Sequence, residues 1–149
     1  MANTNERAER IFGELVVIME SVLGNSTTTG RQLNELGAAL FGKLWRGVYA
    51  SDQIGRPGKE GAYIINLDSS GEPGSHWVGL YIFKGGPLMG SLLFDSFGRP
   101  TAEILPGLVG YGATDPDKNQ RIKQTDCGSR AMAFLVLANG WGYDLAKHV

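Results

Sequence analysis

The chain has 149 residues, 42% of them hydrophobic, and 14 basic against 15 acidic residues give a formal net charge of −1. That length fits one domain, 1–149, able to bury a real core, with apolar content too high for a disordered chain. The even charge balance gives no electrostatic case for a nucleic-acid partner or an anionic membrane surface.

Cys127 is the only cysteine. An internal disulfide and a multi-cysteine metal site are thereby excluded; a reducing compartment suits the chain, and we expect neither metal nor cofactor. The opening stretch "MANTNERAERIFGELVVIME" does not read as a signal peptide, since Glu14 interrupts its apolar run and no small-residue cleavage site follows. No apolar run approaches the roughly 18 residues of a membrane span. The expected setting is intracellular.

In chain order, Ala8, Ile11, Phe12, Leu15, Val16, Met19, Val22 and Leu23 recur at helical spacing and predict an amphipathic helix over 5–23, within an N-terminal extension 1–24. "LGNSTTTG" breaks it and offers Thr28 or Thr29 as the next N-cap. Leu33, Leu36, Leu40 and Leu44 then predict a second helix over about 30–45, packed on the first or on a sheet. "GVYASDQIGRPGKEG" reads as a loop. Strands are expected at "AYIINL" (62–67), "HWVGLYIF" (76–83) and "SLLFDSF" (91–97), the last two joined as a hairpin. These runs are apolar on both faces, so the sheet should be covered on both sides. Residues 98–125 read as loops with one short helix. "RAMAFLVLANG" (130–140) is apolar nearly all round and predicts a buried helix ending at Gly140.

Three residues on separate elements carry possible chemistry: His76, Asp95 and Cys127. In an antiparallel hairpin the start of one strand and the end of the next share an edge, so His76 can meet Asp95. A carboxylate there fixes the tautomer of an imidazole and supports its charged form. Cys127 stands just before the buried helix, where the macrodipole and free backbone donors favour thiolate and can hold an oxyanion. Gly128 lets a substrate approach the sulfur closely. A side-chain amide would complete an oxyanion hole, and Gln120 and Gln124 lie seven and three residues before the cysteine. Each residue alone has an ordinary structural reading: His76 and Trp77 as core, Asp95 as a turn cap, Cys127 as packing. The ordered combination is what points to a thiol nucleophile with its base.

"GSHWVGLYI", "LLFDSFG" and "TDCGSRAMAFL", with a glutamine ahead of the last, resemble the adenain-type cysteine proteases. These are the maturation proteases of adenoviruses and related large DNA viruses, in a clan that also holds the SUMO-specific proteases. "WRGVYASDQI" and "GAYIINLD" extend the likeness upstream, so that it spans about 28–138. The resemblance implies a papain-like α+β fold, in which a small, mostly antiparallel sheet carries His76 and Asp95 and faces a helix headed by Cys127.

It also implies roles: Cys127 as nucleophile, His76 as general base, Asp95 as its orienting acid, and Trp77 and Gly128 against the substrate. Gln120 would serve the oxyanion, as the adenovirus enzymes place their glutamine seven residues before the cysteine. SUMO-specific proteases place it six before, where this chain has Arg121, so Gln124 stays a candidate. The implied function is a monomeric viral endopeptidase that cleaves capsid or core precursor polypeptides during virion maturation, in the virion and the infected cell. The alternatives are a ubiquitin- or SUMO-type hydrolase of the same clan and a non-catalytic capsid-binding module keeping the fold. The chain departs from the adenovirus enzymes in not being basic, which gives no support to DNA as a cofactor. Its single cysteine is the presumed nucleophile, so a disulfide-linked peptide activator does not carry over.

Overall fold

A computed structural model describes residues 3–24, 28–67, 76–85, 90–95, 108, 110–114 and 127–149. The fold is α+β. Its helices are α1 (Thr4–Leu23), α2 (Gly30–Phe41), α3 (Cys127–Trp141) and α4 (Tyr143–Ala146). Its strands are β1 (Trp45–Ala50), β2 (Gly61–Asn66), β3 (Trp77–Ile82) and β4 (Ser91–Phe94), in one sheet of order β1-β2-β3-β4. β1 runs parallel to β2, and the β2–β3 and β3–β4 pairings are antiparallel, so the sheet is mixed but mostly antiparallel.

Local chemistry sets the helix starts. Asn3 caps α1 by accepting from the Glu6 N–H at 2.8 Å. Thr29, rather than Thr28, caps α2 through a reciprocal capping box with Gln32. The second helix stops at Phe41, short of the expected 45. A single 3-10 turn (Gly42–Leu44) follows, and then β1, which the sequence had as helix end and loop. The physical reason is Gly42, which takes φ +55° and ends the helix although Leu44 keeps its apolar spacing.

The pleat divides the core. Ala62, Ile64, Trp77, Tyr81, Leu92 and Phe94 point to the side where α1, α3 and α4 pack. Tyr63, Ile65, Val78, Leu80, Ile82 and Leu93 point to the other, covered by Leu108 and Tyr111. Both faces are thus covered, as the two-sided apolar pattern requires. α1 lies on α3, and α2 lies on β1. Phe94 bridges the helices, stacked on Phe134 at 5.2 Å and tilted against Phe12 at 5.4 Å. Full burial of such a side chain contributes roughly 1.5–3 kcal/mol. α3 rides directly on β3 at Gly79, where an added Cβ would come within 3.1 Å of the Ala131 carbonyl oxygen.

α3 begins at Cys127 itself, three residues earlier than its apolar run, and continues past Gly140 to Trp141. Gly142 at φ +88° then turns the chain into α4. The terminal stretch packs as well: Leu145, Ala146 and Val149 are buried. Of the expected 98–125 loop region, only 108 and 110–114 lie within the described residues, and Ala113 bridges to Leu93 beside β4. Among the described residues, no helix is long and apolar enough to cross a membrane.

Candidate active site

His76 immediately precedes β3, and its carbonyl accepts from the Leu67 N–H at 3.0 Å, which ties it to the end of β2. Asp95 immediately follows β4. The β3–β4 register pairs Gly79 with Phe94, so Asp95 comes beside Val78 and diagonally across from His76. The two side chains meet, with His76 Nε2 2.6 Å from Asp95 Oδ1. Both are buried, their side chains 8% and 1% exposed.

Cys127 heads α3 and is also buried. Its Sγ accepts from the Trp77 backbone N–H at 3.4 Å, one residue along from the histidine. The thiol is also the second side chain acting on the imidazole. Nε2 is the ring nitrogen that Asp95 holds. Burial is the largest influence on His76 and disfavours its charged form. The Asp95 hydrogen bond, the Cys127 hydrogen bond and the charges of both outweigh it, so the pKa stands above its usual 6.5. The arrangement is acid, imidazole, thiol. No acidic residue lies in the first turn of α3 to oppose the helix dipole at the sulfur.

Trp77 is buried, with its indole N–H donating to the Thr28 carbonyl at 3.2 Å. Gly128 is buried as well, and a Cβ on it would overlap the Thr28 hydroxyl and lie 3.4 Å from the Trp77 ring. The missing side chain of Gly128 therefore makes room for Thr28, a neighbour within the protein. Thr28 itself was not among the sequence candidates. Its only sequence signal is the "TTT" before α2. Because Thr29 takes the capping role, Thr28 turns inward, and its Oγ1 is buried with no hydrogen-bond partner among the described residues. Gln120 and Gln124 lie outside the described residues. Among the described residues, no group of three or more His, Cys, Asp or Glu side chains could hold a metal ion.

Comparison of the chain with protein-family models, with curated proteins and with solved structures finds no significant match.

Proposed function

We propose that the protein is a cysteine endopeptidase of the adenain type, with a papain-like architecture, that cleaves polypeptide precursors during virion maturation. The observation that carries this reading is the buried His76–Asp95 pair beside a thiol at a helix N-terminus, whose Sγ accepts from the backbone N–H of Trp77, the residue after the histidine. In the reaction, the Cys127 proton passes to His76, and the thiolate attacks the scissile carbonyl carbon. Backbone N–H groups in the first turn of α3 hold the oxyanion. The imidazolium, supported by Asp95, then protonates the leaving amine, which leaves an acyl-thioester on Cys127. Water, deprotonated by His76, attacks that thioester, and the returning proton restores the thiol. Capsid or core precursors are the proposed substrates, and the virion and infected cell the proposed setting.

The burial of Cys127, 1% exposed, favours a second reading in which the fold serves as a non-catalytic binding module. Incubation with a peptide library separates the two. Cleavage by the unsubstituted protein that Cys127→Ser abolishes supports the protease. No cleavage in the library favours the module.

A further inference from the structure

A cavity of about 410 Å³ opens where β1 and β2 begin. Tyr63, the cavity residue farthest along β2, stands three residues before Asn66, which lies opposite Trp77, so roughly 10 Å of strand separates it from the edge where His76 stands. Its volume falls in the range of small-molecule sites, roughly 300–1,000 Å³. Trp45, Tyr49 and Tyr63 are among its lining residues, the Trp45 ring being stacked on Phe41 of α2, and its charges are Arg46 and Lys59; among the described residues no acidic side chain lines it. In a chain of net charge −1, that is a local excess of positive charge. Among the described residues, neither cation forms an ion pair.

The backbone is shaped to place Arg46. β1 pairs with β2 through Trp45↔Ala62 and then Gly47↔Tyr63, so Arg46 is the extra residue of a bulge. Bulges are uncommon in parallel pairs and re-aim a side chain. Gly47 takes φ +109° to close the bulge. Opposite it, Gly61 takes φ +134°, and a Cβ there would strike the Leu44 carbonyl and come within 2.9 Å of Arg46 Nε. Two glycines in the left-handed region thus serve one arginine.

The rim is equally fixed. Arg46 Nε donates to the Glu60 carbonyl at 2.6 Å, Tyr63 Oη to the Lys59 carbonyl at 2.7 Å, and Tyr111 Oη to the Pro57 carbonyl. Tyr49 Oη donates to the Arg46 carbonyl at 2.5 Å. With their hydroxyls engaged, Tyr49 and Tyr63 leave a ligand no phenol donor; Tyr49 is half-buried, while Tyr63 is packed into the core behind it. Arg46 keeps its terminal N–H groups and Lys59 its ammonium. Such a site is preorganised, so little ordering cost is left for binding.

We infer that this cavity binds a small ligand that joins a planar ring to an anionic group, a phosphate or a carboxylate. The ring packs against Tyr49, and Arg46 grips the anion, with Lys59 adding charge at the mouth. The site stands independently of any chemistry at Cys127.

Titration of the folded protein with 1-naphthyl phosphate tests it, followed by calorimetry and by the Trp45 indole N–H resonance. The expected result is binding at least about tenfold tighter than that of either 1-naphthol or inorganic phosphate, with the Trp45 resonance shifted. Arg46→Gln should weaken it about tenfold or more, as loss of a charge-assisted pair does. Lys59→Gln, which disturbs no internal hydrogen bond, should weaken it several-fold and carries the test if Arg46→Gln fails to fold. Cys127→Ser should bind as the unsubstituted protein does. No binding at millimolar ligand, naphthol binding as tightly as its phosphate, or undiminished binding in Lys59→Gln would overturn the assignment.

Discussion

His76 Nε2 lies 2.6 Å from Asp95 Oδ1 across 19 residues of sequence, with both side chains out of water. A carboxylate in that position favours the protonated ring. Asp95→Asn keeps the shape and removes the charge, so the His76 pKa should fall toward or below 6.5. Proton NMR titration of the imidazole resonances reads this directly, because the chain has only two histidines. An unchanged titration would show that Asp95 does not set the charge of the ring.

The same shift links stability to pH. The folded protein holds the His76 proton more tightly than the unfolded chain does. That contribution is fully present below the unfolded value of about 6.5 and is lost as pH rises through the raised folded value. Urea midpoints measured upward from pH 6 should therefore decline, and the His76→Gln variant should lack this component. A rise in the His76-dependent component over that range would contradict the assigned direction.

Thr28 Oγ1 is a buried hydroxyl without a partner among the described residues. Leaving such a group unsatisfied costs about 1–3 kcal/mol. Thr28→Val keeps the shape and should raise unfolding stability by roughly 1 kcal/mol, measured in urea. A loss of stability would mean that the hydroxyl makes a bond essential to the fold.

Gly128 and Thr28 share one space beside the sulfur. Gly128→Ala should cost about 1–3 kcal/mol, as overpacking does. Thr28→Ala should recover part of that loss, and a double-mutant cycle would show the two positions coupled. Additive effects would count against the shared packing.

Much of this site was legible in the sequence because its parts sit on strongly patterned elements. The β3–β4 hairpin and the apolar helix announce themselves by uninterrupted hydrophobic runs, and hairpin geometry alone brings His76 to Asp95. β1 was not legible. Its bulge at Arg46 and its glycine at 47 break the period-2 alternation that marks a strand, and Leu44 extends the helical spacing past the true helix end. Thr28 was hidden for a different reason: Thr28 and Thr29 compete for one cap, and only the capping box at Thr29 leaves Thr28 to turn inward. The tail after Gly142 looks polar and short, and its burial comes from contacts with α1, α3 and β4 that no local pattern reports.

The most direct test of the central claim is the rate at which a peptidyl vinyl sulfone alkylates Cys127, compared between the unsubstituted protein and a folded His76→Gln variant. A base acting on its nucleophile contributes about 10²–10⁴-fold. The account predicts rapid labelling at Cys127 that slows by at least about a hundredfold in His76→Gln. Labelling that is slow in both proteins, or equally fast in both, would contradict it.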